Sequence, residues 1–317
     1  MDKESEFGAM SSYSDEDISS DMSVLKRLLR KVENGKHSIL YGPPGTGKTR
    51  LVQLLKDELG SRLGTVNFVQ FHPQFSYQEF IEGYAVKNGV FDYKEGVFLK
   101  FLKKLSKVPA KKINLFVIDE INRADISSVF GELLTLLDDS GDKNVVLPTS
   151  GKELHITSKF VIVGTMNSAD KNIAIMDFAL RRRFDFLFMG PDYAGMNDWL
   201  LSLNWKVTEF DVDAYVLFAR KLNHRIATNP ILGKNMTLGQ ALFVPPKLSK
   251  ERVDLEDLFE MIADKVIPQI ESYLGTGNQK DLANLLSPEI REKVTMGEPL
   301  GPADLVNLVN SIVPSNE

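Results

Sequence analysis

Eight consecutive residues, Gly42-Pro43-Pro44-Gly45-Thr46-Gly47-Lys48-Thr49, have the types and spacing of a phosphate-binding loop, G-x-x-x-x-G-K-[ST]. Glycines let the backbone come close to an anion, and the amides can then point inward as a nest for its oxygens. A helix starting at the end of the loop would add its partial positive charge. In this pattern Lys48 reaches the β- and γ-phosphates and Thr49 ligates Mg²⁺. A second pair, Asp119-Glu120, closes the apolar run Ile113–Ile118. An apolar strand delivering two carboxylates suits the other half of a hydrolase site. Asp119 would hold Mg²⁺ through water, and Glu120 would orient and polarise the attacking water. Asn167 ends a further apolar run, Lys159–Thr165 with Met166, where it could contact the γ-phosphate or the water.

These groups need elements to hold them. His37–Tyr41 reads as a strand before the loop, and Arg50–Leu59 as the helix after it. Thr65–Phe71 is rich in β-branched and aromatic residues and reads as another strand. Ser76 and Glu79 have the spacing of a capping box. Val86–Tyr93 reads as a small hairpin about Asn88-Gly89. Gly96–Val108 and Ile126–Leu137 read as helices, Asn144–Leu147 and Lys152–Thr157 as a hairpin, and Asp185–Met189 as the last strand. Ile173–Leu180 is expected to be helical and to lead into Arg181-Arg182-Arg183-Phe184. Beyond Gly190-Pro191-Asp192-Tyr193 the pattern turns helical: Met196–Leu203, Val212–Ile226 and Leu255–Tyr273. The aromatics Phe75, Tyr77, Phe80 and Tyr84 read as core or interface packing residues and not as base-stacking platforms.

The alternation of strand and helix predicts an α/β nucleotide hydrolase with a doubly wound parallel sheet flanked by helices. A strand between the glycine loop and the acidic pair suits the class that uses a catalytic glutamate. No Asn-Lys-x-Asp guanine-reading motif occurs in the chain. The expected organisation is a Ser- and acid-rich tail or expression scar at 1–21, a nucleotide-binding domain at 22–190 and a helical lid at 191–317.

The 317 residues, 43% of them apolar, are enough to bury a sizeable core. A formal charge of −5 argues against broad non-specific DNA binding by this chain. Absence of cysteine excludes disulfides and thiolate metal sites, and four scattered histidines do not suggest zinc. No apolar run is long enough to span a bilayer, so a cytoplasmic protein without membrane contact is expected.

The stretch Gly164-Thr165-Met166-Asn167-Ser168-Ala169-Asp170-Lys171, followed by Asp177-Phe178-Ala179-Leu180-Arg181-Arg182-Arg183-Phe184, resembles the AAA+ motor domain of the McrB family. These are the GTP-driven subunits of modification-dependent McrBC restriction systems. The family's Met-Asn-x-x-Asp signature is matched by Met166, Asn167 and Asp170. The phosphate loop, Val69–His72, Tyr77–Tyr84, Asp119–Ala124 and Ile231–Lys234 agree too, so the likeness spans about Ser38–Phe243. It implies an AAA+ P-loop NTPase fold with a C-terminal helical lid. It also implies GTP (with ATP possible), Mg²⁺, a homo-oligomeric ring that is a hexamer in the family, and a McrC-type endonuclease partner. DNA would be reached through a separate recognition domain or that partner. Carried over by residue, Asn167 would position water with Glu120, and Asp170 would help hold that arrangement. Asp177, Arg182 and Arg183 would act on a neighbouring protomer's nucleotide. Asn122 and Arg123 would support partner contact or site geometry.

The chain departs from the family pattern at Lys171, where arginine is common, and in the lid. Many members read Phe-Arg-Ile-Gly-His-Ser-Tyr-Phe there, against Met236-Thr237-Leu238-Gly239-Gln240-Ala241-Leu242-Phe243. The family's modified-DNA-binding domain normally precedes the motor, so a motor fragment, or a member that borrows recognition, is expected. Two other readings stay open: an ATP-dependent AAA+ remodeller of MoxR or dynein-related type, and a nucleotide-gated assembly scaffold.

Overall fold

A computed structural model describes residues 21–313, apart from 106, 110, 138–143, 156–158, 171–177, 246–251, 276–281, 283, 288–289, 291, 294–295 and 297. Its centre is a five-stranded sheet built from β1 (Ser38–Gly42), β2 (Leu63–Gln70), β5 (Ile113–Asp119), β8 (Val161–Asn167) and β9 (Asp185–Phe188). The spatial order is β2-β5-β8-β1-β9, and every pairing is parallel. The expected α/β sheet is therefore present. The strands bury both faces, as parallel sheets do, and alternate side chains divide between two cores. Leu40, Leu115, Val117, Val161, Val163 and Leu187 pack with α1 (Asp21–Glu33) and α2 (Lys48–Leu59). Ile39, Phe116, Ile118 and Ile162 pack on the other side with α3 (Tyr77–Phe80), α4 (Val97–Leu105) and α5 (Ile126–Phe130). Asn114 is buried between strands: its amide accepts from the Thr65 backbone at 2.9 Å and donates to the Lys159 carbonyl at 3.0 Å.

Several expected elements differ in extent. The first helix of the site begins at Lys48, so the loop's lysine and threonine belong to its first turn. Ile126–Leu137 is not one helix. It breaks at Gly131, whose φ of 48° is not helical, before α6 (Leu133–Leu136). A Cβ there would lie 2.9 Å from the Tyr77 ring, so glycine is also what the packing admits. Of the expected helix at Ile173–Leu180, residues 173–177 lie outside the described residues, and α7 covers Phe178–Arg181. The tail at 1–20 also lies outside them.

Two hairpins stand off the sheet. The first, β3 (Glu82–Lys87) with β4 (Val90–Glu95), is longer than expected and turns at Asn88 and Gly89, both at positive φ. Ser76 and Glu79 form the capping box that precedes it. Phe80 is fully buried as expected, but Tyr84 is exposed, with Val86 and Phe91 also exposed on the same hairpin face. The second hairpin pairs β6 (Asn144–Val146) with β7 (Glu153–His155). Glu82 ties the two together. This fully buried carboxylate accepts from the Thr149 and Ser150 amides at 2.9 and 3.0 Å and from the Tyr93 hydroxyl at 2.8 Å.

The C-terminal part packs a third core from α8 (Tyr193–Leu201), α9 (Val212–Thr228), α10 (Leu255–Met261), α11 (Ile267–Leu274) and α12 (Pro302–Ile312). Asp192 and Asp211 cap α8 and α9. The expected single helix over Leu255–Tyr273 contains a π turn at Ile262–Val266. No described helix is long and apolar enough to cross a membrane.

Burial pushes the Glu82 carboxyl up, but the hydrogen bonds from Ser150, Tyr93 and Thr149 outweigh it and the net pKa is lowered. Stabilisation from a lowered carboxyl is present above the unfolded glutamate range, near 4.5. It is lost as pH falls through the folded pKa. Glu82→Gln should therefore cost about 2–3 kcal/mol at neutral pH. In urea titrations its deficit against wild type should shrink as the pH falls below that range. A deficit that stays constant into acid would show that the Glu82 charge does not hold the hairpins.

Candidate active site

The sheet order brings the separated motifs to one edge. β8 lies between β1 and β5, so the strand ends carrying Gly42, Asn167 and Asp119 emerge side by side. Gly42 is in register with Asn167. The loop Gly42–Gly47 then turns into α2 through Gly45 and Gly47, at φ 78° and 87°. Lys48 is buried, and its ammonium donates to the Gly42 and Pro43 carbonyls at 3.0 and 2.8 Å. Burial lowers its pKa to about 8, against the pull of Glu120, Asp119 and Asp170, which raise it. Thr46 closes the loop by donating from its hydroxyl to the Pro43 carbonyl at 3.0 Å.

Thr49 donates to Asp119 Oδ1 at 3.2 Å. A hydroxyl and a carboxylate at the loop's mouth are hard oxygen donors. Their small number suits Mg²⁺, which keeps waters and phosphate oxygens in its shell. Thr49 and Asp119 are thus the residues that fit the ion, and bound there it would neutralise charge on the phosphates.

Glu120 follows Asp119 in a left-handed conformation, φ 54° and ψ 46°. A non-glycine residue held there is strained by about 1–3 kcal/mol. The turn takes its carboxylate off the strand, where Oε1 accepts from Asn167 Nδ2 at 2.7 Å and Oε2 from Arg123 Nε at 3.3 Å. Burial raises the Glu120 pKa, Arg123 opposes that, and Asp170 and Asp119 add to it. A carboxylate raised in this way is a better proton acceptor than an ordinary glutamate. The predicted pair Glu120–Asn167 is therefore in contact. Asp170 lies beside it: its backbone amide is 3.4 Å from the Asn167 carbonyl, and its carboxylate is 3.5 Å from the amide of buried Asn122.

The arginines are elsewhere. Arg182 and Arg183 follow α7 and lead into β9, whose first residue, Asp185, pairs with Ser38 at the start of β1. Buried Phe184 anchors them beside His37, with ring centroids 5.7 Å apart. The length of β1 therefore separates them from the phosphate loop of the same chain, roughly 13 Å of strand. Asp177 lies outside the described residues.

Sequence reasoning missed Thr165 as a site residue. Its hydroxyl donates to Asp119 Oδ1 at 2.6 Å and accepts from the Glu120 amide at 3.1 Å. The available signal was a polar residue inside an apolar strand expected to neighbour the acidic one.

Comparison with known proteins accords with this geometry. Residues 37–184 match the AAA domain of the dynein-related subfamily. Residues 37–184 thus have the AAA+ P-loop fold, with its parallel central sheet flanked by helices. The phosphate loop and the oxygens of Thr49 and Asp119 fit a nucleoside triphosphate with Mg²⁺, as a match to an AAA domain implies. The resemblance to the McrB family extends well past the motifs. The chain is 34% identical over 277 residues to the Type IV methyl-directed restriction enzyme EcoKMcrB subunit of Escherichia coli (strain K12), covering 83% of this chain and 60% of that protein. It is 28% identical over 218 residues to the Type II restriction enzyme BsuMI component YdiS of Bacillus subtilis (strain 168), covering 54% of this chain and 62% of that one. The chain thus spans less than two thirds of the length of either relative. A Thermotoga maritima RuvB mutant is 14% identical, covers 93% of this chain and 85% of its own, and superposes with a TM-score of 0.43, too loose a likeness to inform function.

Thr165→Val should lower turnover by roughly tenfold to a hundredfold, because it removes the hydroxyl that holds both acidic residues of the AAA+ site. Nucleotide affinity should change less than twofold, and Thr165→Ser should restore most of the rate. Wild-type turnover in the Val variant, with loss in the Ser variant, would mean that the β-branched shape matters and the hydroxyl does not.

Proposed function

We propose that this chain is the motor of a restriction system: a GTPase that assembles into a ring, hexameric in the resembled family, and drives a McrC-type endonuclease against modified DNA. The observation that carries the reading is the 2.7 Å contact between Glu120 and Asn167, in a chain 34% identical to the EcoKMcrB subunit. The McrB signature residue and the general-base carboxylate are in one hydrogen bond. In this reading Lys48 and the loop amides bind the phosphates, and Thr49 and Asp119 hold Mg²⁺. Glu120 takes a proton from water that Asn167 orients, and Asp170 supports Asn167. The α/β part at 22–190 and the helical lid at 191–317 are taken as two domains, supported by their separate cores.

Assembly would complete the site. Arg182 and Arg183, with Asp177, are assigned to the nucleotide of an adjoining protomer, where a guanidinium offsets charge developing on the γ-phosphate. Their position at the opposite edge of the sheet from their own phosphate loop supports this. A second reading, an ATP-driven remodeller, is favoured by the match to the dynein-related AAA subfamily.

GTP and ATP binding and hydrolysis, measured side by side with Mg²⁺ while light scattering follows assembly, separate the two readings. Preference for GTP with nucleotide-dependent rings is the expected result, and preference for ATP would overturn the GTPase reading. In the same assay Glu120→Gln should bind nucleotide normally and lose hydrolysis by at least about a hundredfold. Retained turnover would remove Glu120 from the mechanism. Mixed assemblies test the arginines: Arg183→Ala protomers should depress wild-type activity more steeply than dilution alone. A strictly proportional fall would end the assignment across the interface.

A further inference from the structure

The outer side of the phosphate loop is held by the lid. The Gly239 amide donates to the Pro44 carbonyl at 2.9 Å, and the Ala241 amide to the Gly45 carbonyl at 3.0 Å. Gln240 Nε2 donates to the Thr46 carbonyl at 3.1 Å. Three consecutive carbonyls of the loop are therefore bonded to three consecutive lid residues. In a planar trans peptide the carbonyl and the next amide point in opposite directions. Fixing the carbonyls of Pro44, Gly45 and Thr46 outward therefore aims the amides of Gly45, Thr46 and Gly47 inward, where phosphate oxygens must bind.

The lid segment is itself fixed. Buried Asn223, on α9, donates to the Leu238 carbonyl at 2.8 Å and accepts from the Leu238 amide at 2.7 Å. The other end of the Gln240 amide, Oε1, accepts from the Asp192 backbone at 3.1 Å, at the junction between sheet and lid. Fit is close: a Cβ on Gly239 would lie 2.1 Å from the Gly45 carbonyl carbon. The turn just before the segment is tied down next to Asn167, because Ser168 Oγ donates to the Asn235 carbonyl at 2.8 Å.

We infer that Leu238–Ala241 is a latch that sets the phosphate loop in its binding shape, and that Gln240 is a positioning residue for nucleotide binding. Both ends of its amide are engaged with protein backbone, so it acts on the loop and does not read the base. Lid position and amide orientation are then one variable: lid movement that draws off Gly239 and Gln240 releases the loop, and occupied amides hold the lid. The effect on nucleotide rests on the hydrolase reading above. The mechanical link does not.

The test compares wild type with Gln240→Met, which keeps length and removes both hydrogen bonds, and with Gly239→Ala. In nucleotide-free protein, hydrogen exchange over residues 42–49 should accelerate about tenfold in Gln240→Met, the factor expected for one lost hydrogen-bonded link. Its Kd for GTP and for ATP with Mg²⁺ should rise by a similar factor, with kcat at saturation within about twofold of wild type. Gly239→Ala should show the same pattern where it folds. Unchanged exchange over 42–49 in Gln240→Met overturns the latch, and so does faster exchange there with unchanged Kd. Wild-type protein that binds neither nucleotide would instead overturn the hydrolase reading, while the exchange comparison still decides the mechanical link.

Discussion

Everything in the site depends on β8 running between β1 and β5. Parallel strands deliver their C-terminal ends to one edge, and ligands of open α/β sheets bind there. With β8 in the middle, Asn167 and Thr165 stand between the phosphate loop and the acidic pair. One strand thus supplies a hydroxyl to Asp119 and an amide to Glu120. Exchanging β8 with an edge strand would leave the same residues too far apart to meet.

That constraint makes the site rigid around Asp119 and strained at Glu120, the carboxylate proposed to take the proton. Asp119 is held by two hydroxyls, those of Thr49 and Thr165. Glu120 is turned into a left-handed conformation and buried, and its pKa is raised. The strain is local, and the sheet that imposes it has cores on both faces. Such a scaffold can hold an unfavourable backbone angle that a loop could not.

The lid enters the same economy of backbone groups. A phosphate loop with its amides facing inward must present its carbonyls outward, and buried carbonyls need donors. Here Lys48 and Thr46 supply donors to Gly42 and Pro43, and the lid supplies the next three. The lid is therefore part of the loop's hydrogen-bond accounting. At the other edge of the sheet the arginines lie away from their own chain's loop, which is why a second protomer figures in the proposed chemistry.

Much of this was legible from the residues alone. The loop, the acidic pair and Asn167 are local patterns, and continuous apolar strands alternating with helices identify a parallel sheet because each face needs its own core. The capping box at Ser76 and Glu79 and the turn at Asn88-Gly89 are likewise short-range signals. Where the sequence misled, tertiary contact overrode periodicity: Ile126–Leu137 has helical spacing, but Gly131 bends it against Tyr77. What only the folded chain decided are the long-range bonds. Thr165 is 46 residues from Asp119, Glu82 is 67 from Thr149, and Gln240 is 194 from Thr46. Local types and spacing determine which groups are available and which element carries each. Which carbonyl a distant amide meets depends on register and packing, and no short stretch of chain encodes that.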